Sequence, residues 1–257
     1  MSVLSREPAF AESPTQAAES LQVREASRAS HARPRPHFRS VADSLDWQRA
    51  RALADGAQEF RVVVSLFERQ IWVIDGTDTL LNAPAAVASG LTLDYQERSW
   101  TFRTPRGRRR VIRRVINPVW TPPDWHYAEV ALDHGLKLAH LPSGSEVRLR
   151  SGARLTVRSR LVLIIPAGST RFQALPVDEH IVFDSKLFIP PRGTLNRRIS
   201  GELGRYAIDL GDGYLIHGTP HASSIGRAIT HGCIRLADDD IEWLYENVRE
   251  GTPVYVF

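Results

Sequence analysis

From Phe60 onward the chain is written in short runs of β-branched and aromatic residues, each closed by a turn signal, and this cadence constrains the fold more than any other feature. Arg61 to Phe67 forms one run. Gln70 to Asp75 follows after Glu68 and Arg69, Asp75-Gly76 turns, and Thr79 to Ala88 returns before Ser89-Gly90. Three runs at this spacing predict an antiparallel meander. Trp100 to Pro105 and Val111 to Ile116 read as two strands joined by the basic turn Arg106-Gly107-Arg108-Arg109-Arg110. Between Glu146 and Ile165 three short strands are expected, with Ser151-Gly152 as a hairpin turn; Ile181 to Phe183 and Leu187 to Ile189 add two more. Tyr206 to Leu210 and Tyr214 to His217 form a hairpin about Gly211-Asp212-Gly213.

Helical signals are few. Residues 43–55 (with Leu45, Trp47 and Leu53) and 127–140 could each form a short helix. Only the stretch after Leu236 carries a clean apolar stripe, Ile241, Leu244, Tyr245 and Val248, with Asp239 and Glu242 as a capping box and Gly251 as a stop. Thr252 to Phe257 reads as a final strand, and no internal repeat is present.

The length allows one large domain or two small ones. Residues 1–57, rich in Ser, Ala, Pro, Glu and Arg, read as a disordered or loosely ordered N-terminal lead. No apolar run reaches the length of a membrane span, and Met1 to Ala18 has neither a basic n-region nor an apolar h-region, so no transmembrane segment and no secretory signal is visible. The positive charge is almost all arginine, with lysine only at Lys137 and Lys186. The Arg106 to Arg110 cluster reads as a solvated hairpin tip or as a docking surface for an anionic polymer. It lacks the interleaved aromatics that stack on bases, so no nucleic-acid partner is expected. Trp120 and Trp125, in the rigid Asn117 to Trp125 loop, are core plugs or a substrate platform.

The chemistry concentrates in Thr230-His231-Gly232-Cys233-Ile234-Arg235-Leu236, which holds the only cysteine, so no intrachain disulfide exists. A lone cysteine is by default a small buried apolar residue. Here histidines and glycines surround it. A thiol attacks a carbonyl carbon as thiolate, and a nearby imidazole can take its proton. Two bases are candidates: His231, two residues away and on the same side of an extended stretch, and His217, at a strand end beside Gly218. The Gly232 and Cys233 amides can meet an oxyanion, and Arg235 a carboxylate. His217, His221, His231 and Cys233 could instead supply a zinc shell, but Gly218 and Pro220 argue against the helix that the His217–His221 spacing would need. No metal or other cofactor is expected.

This stretch strongly resembles the active-site signature of the L,D-transpeptidase catalytic domain family (YkuD-type): His217-Gly218, then Ser224-Ile225-Gly226 within the gap, then Thr230 to Leu236. The resemblance extends to Arg61–Gly90, to the Trp-Thr-Pro-Pro element within Asn117–Pro123, to Ile189-Pro190-Pro191, to Gly201–Tyr206 and to Gly251–Val254. It implies a mainly β fold over residues 58–257: a β-sandwich of mixed sheets with few helices and one C-terminal helix after the Cys motif. The stretch at about 128–188 departs from the family's usual spacing and reads as a β-rich insertion, a lid or substrate-selecting flap. The implied chemistry is a peptidoglycan L,D-transpeptidase. Cys233 attacks the tetrapeptide stem before D-Ala and passes the acyl group to an amine on another stem or a protein lysine. His217 is the base, held by a carbonyl near Gly218; Thr230, His231, Gly232, Gly218 and Arg235 line the oxyanion and substrate region. The partners implied are donor and acceptor stem peptides, in the periplasm or cell envelope. An L,D-carboxypeptidase passing the acyl group to water, a non-catalytic wall-binding module and a cytoplasmic thiol enzyme are the alternatives. Oligomeric state is not legible.

Overall fold

The short runs resolve into strands, some with alternating burial, as in Gln70–Asp75, and others buried throughout, as in Arg61–Ser65 and Pro253–Val256. The structure, a computed structural model, describes residues 38–257, so the looseness expected for the lead lies, over residues 1–37, outside the described residues. In chain order come α1 (Val41–Gly56), β1 (Arg61–Ser65), β2 (Gln70–Asp75), β3 (Asp78–Pro84), β4 (Val87–Ala88), β5 (Thr92–Tyr95), β6 (Arg98–Thr101), β7 (Gly107–Arg110), β8 (Arg113–Ile116) and β9 (Val119–Trp120). Next are α2 (Asp124–Asp133), β10 (Lys137–His140), β11 (Glu146–Arg148), β12 (Arg154–Arg158), β13 (Leu161–Ile165), β14 (Gln173–Ala174), β15 (Ile181–Phe183) and β16 (Lys186–Ile189). The rest is β17 (Ile199–Ser200), β18 (Tyr206–Asp209), β19 (Leu215–His217), β20 (Ala228–Thr230), β21 (Ile234–Arg235), α3 (Asp238–Asn247) and β22 (Pro253–Val256). The protein is mainly β, in mixed sheets.

Two sheets carry the core. The first runs β3-β2-β1-β22-β7, with β1 and β22 parallel and the other neighbours antiparallel; the second runs β21-β19-β18-β8. Val62, Val64, Ile71, Val73, Val254 and Val256 of the first meet Ile208, Ile216 and Ile234 of the second, together with Ile241, Leu244 and Val248. Each such side chain removed from water contributes about 1.5–3 kcal/mol. The opposite face of the first sheet presents Val63 and Tyr255, with Phe257 beside them, and α1 covers it with Ala50 and Ala54 while Trp47 sets its ring edge-on to Phe257 at 6.2 Å. That double cover explains why all five residues of β1 are buried. Of the three residues that suggest this helix, Trp47 packs toward the sheet while Leu45 and Leu53 point outward; alanines face the sheet and let the helix approach it closely.

Three local expectations are corrected. Arg108, Arg109 and Arg110 of the basic cluster lie in β7, an edge strand paired with β22, and Arg106 directly precedes it. Each has a partner within the chain: Arg106 pairs with Asp43, Arg108 with Glu59 across the Tyr255 ring, and Arg109 with Asp212 above the Tyr214 ring, while Arg110 donates to the Gly251 carbonyl. The helix expected at 127–140 is α2 at Asp124–Asp133, since Pro123 can precede a first turn and Gly135 at φ 64° breaks it; Lys137–His140 is a strand. α3 has Ala237 as its N-cap and no side-chain cap; its start rests on the helix dipole meeting Asp238, Asp239 and Asp240. It ends at Asn247, ahead of Gly251.

Residues 137–189 fold as two small sheets, β10-β16-β15 and β11-β12-β13-β14, around Leu141, Leu149, Leu155, Val162, Ile181 and Phe188. Two adjacent residues tie them to the chain around the main sheets. Asn196 accepts from Val162 N–H at 2.8 Å and donates to the carbonyls of Leu175 and Pro176. Arg197, 4% exposed, donates from Nε to Pro122, from Nη1 to Pro190 and from Nη2 to Asp124 at 2.7 Å. Burial would raise the Asp124 pKa, but its bonds to His140 and Arg197 hold it at about 2. Arg197→Ala is expected to lower unfolding free energy by about 1–3 kcal/mol, because the Pro122 and Pro190 carbonyls lose their donor while Asp124 keeps Arg98 and His140; urea denaturation followed by tryptophan fluorescence measures it.

Candidate active site

Cys233 and His217 arrive on neighbouring strands. β19 and β21 run parallel, with Ile216 opposite Ile234 and His217 opposite Arg235. Ile216 and Ile234 point into the core, so His217 and Arg235 share the other face, and Cys233, two residues before Arg235, joins them. This face floors a cavity of about 520 Å³ whose walls include Trp120, Trp125, Glu202, Tyr214 and His231.

The His217 ring is 2% exposed, and its Nδ1 lies 2.6 Å from the Gly218 carbonyl oxygen. A carbonyl only accepts, so Nδ1 carries the proton and the neutral ring keeps its lone pair on Nε2. Burial drives the pKa down to about 4, the Gly218 carbonyl opposing and the Arg235 charge assisting, with the Leu203 carbonyl opposing more weakly. The Gly218 backbone is itself clamped. A Cβ on Gly204, at φ 66°, would sit 2.7 Å from Gly218 Cα, so only glycine permits this approach. Asp238 and Ile241 close over Gly218 from the other side.

Cys233 is half-buried, with Sγ 3.9 Å from the Gly213 carbonyl oxygen. Burial raises its thiol pKa, against the lowering effects of the Leu215 backbone and Arg235. Taken together, the two shifts favour a neutral thiol beside a neutral imidazole at rest, and the thiolate has to be made by proton transfer during attack.

The turn before the cysteine is stapled by Thr230, whose hydroxyl donates to the Cys233 carbonyl at 2.6 Å and accepts from Gly232 N–H at 3.3 Å. The Gly232 carbonyl accepts from the Thr104 hydroxyl at 2.8 Å. Gly232 stands at φ 147°, and a Cβ there would press on Tyr214 at 3.0 Å. His231 is fixed as part of an aromatic wall: its ring stacks on Trp125 at 3.9 Å, meets Phe102 edge-on, and its Nε2 lies 2.8 Å from Glu129 Oε1. The four residues weighed as zinc ligands form no metal-holding group among the described residues.

Arg235 is 18% exposed along its side chain. Its ion-pair partner is Glu202, with Nη2 to Oε1 at 3.8 Å, beyond hydrogen-bond distance, and its Nε is buried without a partner. Two site residues escaped the sequence reading. Glu129 sits 102 positions before His231, with no local pattern to connect them. Glu202 lies in the Gly201–Gly204 turn, with no local pattern to mark its side chain. Trp125, left open between core and platform, lines the cavity.

Comparison with known proteins gives the family of the chain. The family model for the L,D-transpeptidase catalytic domain (YkuD) matches residues 59–256. The probable L,D-transpeptidase ErfK/SrfK of Escherichia coli K12 is 48% identical over 54 residues, 21% of this chain and 17% of that protein. The putative L,D-transpeptidase YkuD of Bacillus licheniformis is 40% identical over 72 residues, covering 26% of this chain and 44% of that one. A crystal structure of an L,D-transpeptidase from Xylanimonas cellulosilytica aligns at a TM-score of 0.42 and 15% identity, over 92% of this chain and 69% of that chain. The chain belongs to the L,D-transpeptidase catalytic domain family.

Proposed function

We propose that this protein is a peptidoglycan L,D-transpeptidase that uses Cys233 as its nucleophile, acting on stem peptides in the cell envelope. One observation carries the reading: a thiol and a buried neutral imidazole whose Nδ1 is held by the Gly218 carbonyl share the floor of one cavity beside an arginine. In the proposed reaction His217 Nε2 takes the thiol proton as sulfur attacks the carbonyl that precedes D-alanine. The tetrahedral oxyanion meets the Cys233 N–H, since the Gly232 N–H is bonded to Thr230. The proton on His217 then passes to the departing amine, D-alanine leaves, and a thioester remains. An acceptor amine reverses these steps, forming the new amide and restoring the thiol. Arg235 holds a substrate carboxylate beside the reacting bond.

A strained β-lactam carbonyl is an activated acyl donor for the same thiol. Intact-protein mass spectrometry after carbapenem treatment is expected to show one adduct on Cys233 and none in a folded Cys233→Ala variant; an adduct elsewhere would sink the assignment. With a tetrapeptide stem, a cross-linked dimer supports transfer, whereas tripeptide alone would make the enzyme an L,D-carboxypeptidase.

The base is active only while neutral, and burial sets its pKa at about 4. The rate of Cys233 acylation is therefore expected to hold as pH falls through the ordinary histidine range and to drop only near pH 4. Stopped-flow acylation across pH measures this, and an acid limb centred at the usual histidine value of about 6.5 would remove buried His217 from the role.

A further inference from the structure

The reactive cavity opens onto a second one. Pro123, Trp125 and Arg192 line the first, of about 520 Å³, and also a neighbour of about 480 Å³. A volume of that size lies within the range of sites for small organic ligands, about 300–1,000 Å³. Trp125 belongs to both, its ring stacked on His231 at 3.9 Å. A second indole, Trp100 of β6, is half-buried in the lining of the neighbour and rests on the cluster of Tyr95, Tyr127 and Leu187. The carboxylate of that lining, Asp124, is already spent: Arg98, His140 and Arg197 reach it at 3.1, 2.9 and 2.7 Å. Arg192 is the reverse. Its side chain is exposed and, among the described residues, makes no hydrogen bond or ion pair. The lining thus offers two indoles and an open guanidinium, and no uncommitted carboxylate for a cationic ligand.

We propose that this second cavity binds an N-acetylated sugar ring, with Trp100 and Trp125 as its platform and Arg192 as its donor, so that the protein acts on stem peptides still attached to their glycan in preference to free stems. The proposal rests on the transferase reading above and adds a contact well away from the reacting bond. A stem whose reacting end lies on Cys233 has its sugar-bearing end farthest from the thiol, and the rim of Pro123, Trp125 and Arg192 leads from one cavity into the other. A pyranose ring presents a face of C–H groups, which packs on an indole, and a periphery of hydroxyl and acetamido oxygens, which accept from a guanidinium. A free carboxylate would use Arg192 and leave both indoles idle. Trp100 is held by its cluster and Trp125 by His231, so the platform is formed before the ligand arrives and little ordering is lost on binding.

The test uses the full chain and follows Cys233 acylation with two donors: a free tetrapeptide stem, and the same stem carried on its N-acetylated disaccharide. The reacting bond is identical in the two, so the ratio of their kcat/KM values reads the sugar. Wild type is expected to prefer the sugar-bearing donor by about 10-fold, through KM rather than kcat, the size of one charge-assisted hydrogen bond. Arg192→Ala and Trp100→Leu are each expected to bring the ratio down toward one, and Arg192→Lys to keep part of it. Trp100 also packs on a core cluster, whereas Arg192 is exposed and unpaired, so Arg192→Ala gives the reading even where Trp100→Leu disturbs the fold. Equal use of both donors by wild type would overturn the sugar site while leaving the transferase reading intact. An unchanged ratio in Arg192→Ala would do the same, and if that variant slowed both donors alike it would assign Arg192 to the peptide. Absence of any acyl-enzyme with either donor in wild type would overturn both readings.

Discussion

The active face hangs on the parallel pairing of β19 with β21. One register, Ile216 against Ile234, sinks two isoleucines into the core and in the same act turns His217, Arg235 and Cys233 toward the cavity. A slip of one residue would exchange the two sets, placing a histidine and an arginine among valines, which the core cannot tolerate. Hydrophobic burial thus sets the geometry of the polar face. The Gly204–Gly218 contact then locks the carbonyl that fixes the His217 tautomer, so the protonation state of the ring is determined by backbone packing rather than by an acidic side chain.

The walls of the cavity are set from farther away. Asn196 and Arg197 bind the small inserted sheets and the Trp120–Trp125 loop to one short turn, and α2 carries Glu129 to the far side of His231. Trp125, stacked on His231 and edge-on to Phe102, closes that wall. Floor and wall therefore depend on different parts of the chain: the floor on the two large sheets, the wall on connections among loops.

The elements that were legible in the sequence are those dominated by local pattern. The meander, the Tyr206–His217 hairpin and the stripe of α3 follow from alternation, turn glycines and helical spacing. The joining of Cys233 to His217 was legible only through the ordered signature. What was missed depends on contacts distant in sequence. The basic cluster looked like a turn because its neutralising partners Asp43, Glu59 and Asp212 are far away in the chain. α1 buries alanines rather than leucines because the sheet opposite is already supplied with Val63 and Tyr255. Glu129 and Glu202 acquire meaning only from what faces them.

β22 lies between β1 and β7, with Val62 beside Val254. The sheet therefore takes its five-stranded order only when a segment far downstream pairs with both β1 and β7. Contacts of such sequence separation are late and slow to form. The core that orients His217 and Cys233 includes Val254 and Val256. Placement of His217 and Cys233 on the cavity floor is therefore coupled to completion of the sheet: a partly folded chain in which Val254 and Val256 are not yet packed lacks the core on which the two residues rest.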